Sequence, residues 1–168
     1  MKKLFILRHA KSSWDDVGLA DFERPLNERG KRDAPFMGEF MRGKGFEPSV
    51  VLCSPAERAK HTALLVKDVG DFSCEIRFDE RIYEASPHTL AQVISETDDA
   101  HAVAMLVGHN PGIEGLIRYL TGDLEPMPTA ALAVIALTID EWGEIADGCG
   151  ELQNISRPKE ISRTDMSD

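Results

Sequence analysis

Five short apolar runs punctuate the chain, at Lys3–Leu7, Val50–Cys53, Glu75–Phe78, Val103–Val107 and Leu132–Leu137, with longer stretches of helical spacing between them. That alternation predicts an α/β fold rather than a bundle or a sandwich of sheets. Most of the runs are continuously apolar, so both faces of the sheet should be covered, giving a three-layer α/β/α arrangement around a mostly parallel central sheet. Helices are expected at Asn27–Lys44, Pro55–Val69, Pro87–Glu96 and Gly112–Leu120. Asn27 suits an N-cap, with Ala34, Met37 and Met41 as the apolar face and Gly43 and Gly45 at the end; Ser54 and Pro55 suit the cap and first turn of the second helix. Asp140–Gly150 reads as an acidic, turn-rich connection and Glu151–Ile155 as a short edge strand. Ser156–Asp168 is polar and without periodicity, so it reads as a tail that wraps the surface or frays.

Composition narrows the class. At 168 residues, with 42% hydrophobic and 29% charged residues, residues 1–168 read as a single soluble domain. A chain of this size buries roughly 70% of its unfolded surface and needs no disulfide or metal staple. Nineteen Lys and Arg against 29 Asp and Glu leave a net charge of −10. That balance argues against nucleic acid or an anionic membrane as partner, but not against a small anion held in a local pocket. The apolar start, Leu4–Leu7, is ended by Arg8 and His9 after four residues, whereas an export signal needs about seven to fifteen. No stretch approaches the roughly 20 apolar residues of a membrane span. Cys53, Cys74 and Cys149 are odd in number and widely spaced, which predicts reduced thiols in or near the core and a cytoplasmic protein.

Three motifs carry chemistry. Leu7-Arg8-His9-Ala10, followed by Lys11-Ser12-Ser13-Trp14-Asp15, lies at the carboxyl end of the first expected strand, where ligands of open α/β sheets bind. The sheet would fix the His9 backbone while its ring faces a crevice, and Arg8 would offer planar donors matched to phosphate oxygens. Ser54-Pro55-Ala56-Glu57-Arg58 follows the second strand and opens a helix, a position that favours anions; His61 and Thr62 read as helix surface. Val107-Gly108-His109-Asn110-Pro111-Gly112 puts a second histidine at a strand end. Two strand-end histidines and two arginines that converge on one crevice suggest phosphoryl transfer. The five histidines show no zinc-type spacing and no acidic cluster suited to magnesium adjoins these motifs, so neither metal nor other cofactor is expected.

Arg8-His9, Ser54-Pro55 with Arg58, and Gly108-His109 resemble, in order and spacing, the histidine phosphatase superfamily, with its phosphoglycerate mutase-like fold. Arg8–Asp15 resembles the opening of the mutase branch, departing from it at Ala10, in place of Gly, and Asp15, in place of Asn. Arg24-Pro25-Leu26-Asn27-Glu28-Arg29-Gly30, Leu52-Cys53-Ser54-Pro55, Ile82-Tyr83-Glu84-Ala85 and Val107–Gly112 look like the SixA-type phosphohistidine phosphatases. The resemblance covers most of Lys3–Leu120 and thins beyond it.

It implies that His9 is the nucleophile and that Arg8, Arg58 and His109 form a cationic pocket around the phosphoryl group, His109 acting in its charged form. Activity should then fall in acid as His9 gains a proton and in alkali as His109 loses one. Glu80, in Asp79-Glu80-Arg81-Ile82-Tyr83, matches the segment holding the mutase branch's catalytic glutamate and is the first choice for general acid, with Glu84 second. Ser12 is expected to add a donor at the phosphate rim, Lys11 to attract anionic substrate, Glu84 and Asn110 to line the substrate site, Asn110 alternatively to cap the helix near Pro111, and Trp14 either to pack under its loop or to touch substrate. The reading is a phosphatase acting on phosphohistidine of a protein, such as a phosphotransfer-type domain, through phosphorylated His9. Alternatives are a small-molecule phosphomonoesterase or mutase acting on a phosphorylated metabolite, and a phosphate-binding scaffold without catalysis.

Overall fold

The computed structural model describes residues 1–161. Six strands, β1 (Lys2–Arg8), β2 (Val50–Cys53), β3 (Ile76–Phe78), β4 (Val103–Gly108), β5 (Leu132–Leu137) and β6 (Gly150–Ser156), form one sheet in the order β3-β2-β4-β1-β5-β6. The first four in that order run parallel; β5 joins β1 antiparallel at one side, and β6 joins β5 antiparallel and so runs with the first four. The fold is thus α/β around a mixed sheet. Four helices, α1 (Glu28–Lys44), α2 (Glu57–Gly70), α3 (Pro87–Ser95) and α4 (Gly112–Thr121), connect the strands.

Period-two alternation of side chains explains the layering. On β1, Leu4 and Ile6 face one core with Leu90, Ile94, Leu116 and Ile117 from α3 and α4, while Phe5 and Leu7 face a second core with Met37, Met41, Ala63 and Val66 from α1 and α2. None of these four β1 side chains is more than 2% exposed, and each such burial contributes about 1.5–3 kcal/mol. A strand buttressed on both faces has little freedom to slip, which is what holds the residue after it in place.

Most predicted boundaries agree to within two residues. Asn27 caps α1 by accepting a hydrogen bond from the Gly30 amide at 2.9 Å. Two expectations change. α2 begins at Glu57 after Ala56, which gives no side-chain cap; the Ser54 hydroxyl, two residues before Ala56, accepts from the Ala56 amide at 3.2 Å and also meets a histidine of the site at 2.8 Å. Ser156 ends β6 rather than opening a tail, and Pro158–Glu160 forms a 3-10 turn; the rest of the predicted tail, 162–168, lies outside the described residues. The three cysteines are free, Cys53 buried and the others half-buried. Among the described residues no helix is long and apolar enough to cross a membrane.

Candidate active site

Strand register brings the motifs together. Arg8 pairs with Gly108 across β1 and β4, and Cys53 with Val107 across β2 and β4, so His9, His109 and Ser54 emerge side by side at the carboxyl ends of three adjacent strands. The backbone continues the ladder there: His9 N–H donates to the Gly108 carbonyl at 3.1 Å and Ser54 N–H to that of Val107 at 3.0 Å. From the other side the Ala130 amide, in left-handed backbone at φ 63°, donates to the carbonyls of both Arg8 and His9. A non-glycine residue held in that region marks local strain that the surrounding contacts sustain.

His9 is 6% exposed, and its Nδ1 lies 2.7 Å from the Ala10 carbonyl. A carbonyl only accepts, so Nδ1 carries the proton and Nε2 is left with its lone pair. Burial, with the nearby His109, Arg58 and Arg8, lowers the His9 pKa to about 3 despite the opposing bond to Ala10. The ring is therefore a neutral imidazole at neutral pH, with no protein partner on Nε2 among the described residues. Thr62 supports the same turn: its hydroxyl accepts from the Ala10 amide at 2.9 Å and donates to the Arg58 carbonyl at 2.7 Å. Thr62 is fully buried, so the expectation that it is helix surface is wrong; one turn after Arg58, it ties the His9 loop to the arginine helix.

The His109 ring stands 5.1 Å from that of His9, centroid to centroid, and its Nε2 lies 2.8 Å from Ser54 Oγ. Its Nδ1 is buried without a partner, as is Arg8 Nε. Burial and the charges of Arg58 and Arg8 lower the His109 pKa to about 4, against a smaller upward pull from Asp21. This corrects the expectation of a charged His109: with only the protein's own groups around it, the ring is neutral at neutral pH. Arg8 donates to the Met127 carbonyl at 3.1 Å, and burial lowers its pKa more than Glu114 raises it.

Arg58 is gripped by a residue the motif reading missed. Asp21, in the 3-10 turn Asp21–Glu23, accepts from both terminal nitrogens of Arg58, through its carbonyl at 2.7 Å and its carboxylate at 2.9 Å. The same carboxylate accepts from the Tyr83 hydroxyl and from Arg24, each at 2.7 Å. The Tyr83 bond, with Arg58 and Arg24, holds the Asp21 carboxyl well below the usual carboxylate range, while burial and Asp21 push the Tyr83 phenol up to about 12. Arg24 carries the network on to the Ser12 hydroxyl and lies flat under Trp14, 3.3 Å from the ring centroid. Trp14 is 69% exposed, so it covers Arg24 rather than packing under its loop. The signal for Asp21 was its place three residues before Arg24-Pro25-Leu26.

The remaining predicted residues fall differently. An open cleft beside His109 is lined by Asp21, Arg58, Tyr83, Glu84, Ser86 and Asn110, among others. Glu84 is therefore in the cleft; Glu80 sits on an exposed 3-10 turn, Glu80–Ile82, and is not among the lining residues. Asn110 accepts from the Glu114 amide at 3.3 Å, as a helix cap would, and its amide group donates to Glu114 and to the Met127 carbonyl. Lys11 lines a separate depression with Trp14 and Lys31, and the Ser12 hydroxyl is engaged by Arg24. Among the described residues no three His, Cys, Asp or Glu side chains are grouped to hold a metal ion.

Residues 4–102 match the model of the histidine phosphatase superfamily, branch 1. The chain belongs to this superfamily. It is 32% identical over 164 residues to an uncharacterized protein of Mycobacterium tuberculosis, covering 91% of this chain and 100% of that one. It is 29% identical over 147 residues to the phosphohistidine phosphatase SixA of Escherichia coli K12, covering 84% and 88% of the two chains. The structure of a protein histidine phosphatase SixA in complex with tungstate superposes with a TM-score of 0.82 at 22% identity, over 95% of this chain and 99% of that one, a likeness of fold. Superfamily membership and the SixA-like fold support phosphatase activity.

Proposed function

We propose that this superfamily member removes phosphoryl groups from phosphohistidine in a protein, through a phosphohistidine formed on His9. The observation that carries the reading is the tautomer of His9: Nδ1–H is tied to the Ala10 carbonyl, which leaves Nε2 with its lone pair as a neutral nucleophile. Arg8 Nε and His109 Nδ1 support it, since both are buried polar atoms without protein partners and a phosphoryl oxygen would satisfy each. His9 Nε2 attacks phosphorus, the substrate's N–P bond breaks, and its electron pair returns to the leaving imidazole. Arg8 and Arg58 hold the oxygens in the transition state. A phosphoryl dianion reverses the local charge at His109, raising its pKa so that it binds as a donor. Water then attacks phosphorus, returning the electron pair to His9 and releasing inorganic phosphate. An imidazole that arrives protonated leaves as a neutral ring, so this chemistry asks no acid of Glu80.

An open cleft suits a phosphorylated side chain on a protein surface better than a metabolite that must be enclosed. A cytoplasmic role in phosphosignalling belongs to the same reading, with three free cysteines in support. The test offers the purified protein, in EDTA, a phosphohistidine-bearing phosphotransfer domain beside a panel of phosphomonoesters. Rapid loss of phosphate from the domain is expected, together with acid-labile phosphate on the enzyme that disappears in His9→Ala. Selective hydrolysis of one metabolite, or persistent labelling of the variant, rejects the reading.

A further inference from the structure

The cleft beside His109 carries an unused carboxylate. Of the two acidic residues lining it, Asp21 is saturated by Arg58, Arg24 and Tyr83, whereas Glu84 makes no side-chain hydrogen bond or ion pair among the described residues. Glu84 is exposed, yet its backbone is held at φ 53°, left-handed and unfavourable for a side chain with a Cβ. The loop that carries it is pinned. A Cβ on Gly112, at the start of α4, would come within 2.4 Å of the Ala85 carbonyl, so only glycine lets helix and loop approach this closely. Beside Glu84 stands an aromatic wall, Tyr83 edge-on to His109 at 5.5 Å and to Phe22 at 5.1 Å. No lysine is among the lining residues described, and their one arginine, Arg58, is already paired with Asp21.

This lining is suited to one kind of leaving group. A metabolite bearing a second anion, such as a phosphoglycerate, would meet the unpaired carboxylate of Glu84 where it needs a cation. A planar ring with positive charge would meet an unpartnered carboxylate beside the apolar body of Tyr83. We propose that Glu84 is a specificity-determining residue whose carboxylate accepts the N–H of a protonated imidazole leaving group, selecting phosphoramidates over phosphoesters whose alcohol carries an anionic group of its own. The proposal rests on the reading of His9 as nucleophile and phosphohistidine as substrate. The step balances without an added acid: the ring's distal nitrogen keeps its proton, hydrogen-bonded to the Glu84 carboxylate, the N–P electron pair returns to the proximal nitrogen, and the ring departs neutral as the His9 N–P bond forms.

The experiment measures kcat/KM of the wild type, Glu84→Gln and Glu84→Asn on N-phosphoimidazole, p-nitrophenyl phosphate and 3-phosphoglycerate, with thermal unfolding of each protein alongside. Asn tolerates left-handed backbone, so Glu84→Asn removes the carboxylate while keeping the loop conformation. Both variants are expected to lose about fivefold on N-phosphoimidazole and to gain on 3-phosphoglycerate by a similar factor, the effect of one partly exposed charge. Turnover of p-nitrophenyl phosphate, whose leaving group enters without a net charge, should change less than that of either charged substrate. Equal changes on all three substrates, or none, in a protein whose wild type hydrolyses N-phosphoimidazole, overturn the role of Glu84 alone. A wild type that hydrolyses only the esters, or none of the three, overturns the phosphohistidine reading and the proposal with it.

Discussion

Lowering the pH from 7 to 5 should destabilise this fold through its two site histidines. Burial holds His9 at about 3 and His109 at about 4, so both stay neutral in the folded protein at pH 5. In the unfolded chain each titrates near 6.5 and at pH 5 is almost fully protonated. The unfolded state thus binds more protons, and stability falls with pH below 6.5. Each histidine costs about 2 kcal/mol at pH 5, from about 1.4 kcal/mol for each of the roughly 1.5 pH units below 6.5, and the pair about 4 kcal/mol. The figure depends little on how far the folded values are depressed, only on their lying well below 5. The Asp21 carboxyl does not enter this window. Its folded pKa is lowered, so its contribution is present above the ordinary aspartate range and is lost only as pH falls through its folded value.

Urea denaturation of the wild type, His9→Gln and His109→Gln at pH 7 and pH 5 measures the effect. An amide does not titrate here, so each substitution should remove about 2 kcal/mol of the pH-dependent loss, whatever it does to stability at pH 7. Inorganic phosphate should lessen the acid loss in the wild type, because an anion in the site raises the folded His109 pKa. A pH-dependent loss in His109→Gln equal to that of the wild type would refute the assignment of a buried neutral ring.

Two further perturbations test the scaffold. In Gly30→Ala the new methyl would lie 2.1 Å from the Lys11 carbonyl, so the backbone two residues after His9 must move; a loss of about 2 kcal/mol or more by urea denaturation, with kcat falling, is expected, and an unchanged kcat would show that the Lys11 backbone is irrelevant to His9. Asp21→Asn removes the charge that orients Arg58 while keeping the backbone contact, and kcat/KM on N-phosphoimidazole should fall about tenfold. A wild-type value there would mean that Arg58 is positioned without its carboxylate partner.

Strands and helices were legible because β1, β2, β4 and β5 are apolar on both faces and Asn27 is a helix cap that acts locally. The convergence of His9, Arg8, Arg58 and His109 followed from strand-end motifs, since parallel neighbours in register deliver their ends to one edge. What was not legible is long-range and polar. Asp21 reaches Arg58 across 37 positions, and Ala10 reaches Thr62 across 52. Neither pair has a spacing or periodicity that marks it. Ser54 was read as a cap because serine before proline at a helix start has that local meaning; its hydroxyl does accept from the Ala56 amide, but α2 starts later, at Glu57, and the same oxygen also meets the tertiary neighbour His109. The sequence ranked Glu80 before Glu84, and nothing local marks Glu84 as the one of the two that lines the cleft.

The charge of the site differs from what its residue types imply. Two arginines and two histidines read as a strongly cationic pocket within a chain of net charge −10. In the structure both rings are neutral at neutral pH, and Arg58 is half spent on Asp21. The resting field is then set mainly by Arg8 and by the unspent donors of Arg58. Under the proposed function such a site would attract anions weakly until a phosphoryl group entered, whereupon His109 would take up a proton and the field would strengthen. Selectivity for a dianion follows, because a monoanion raises the His109 pKa less and gains less from the proton. The same uptake predicts that phosphate binds more tightly as pH falls from 8 toward 6, whereas a pocket of permanent charges would show no such slope beyond the ionisation of phosphate itself.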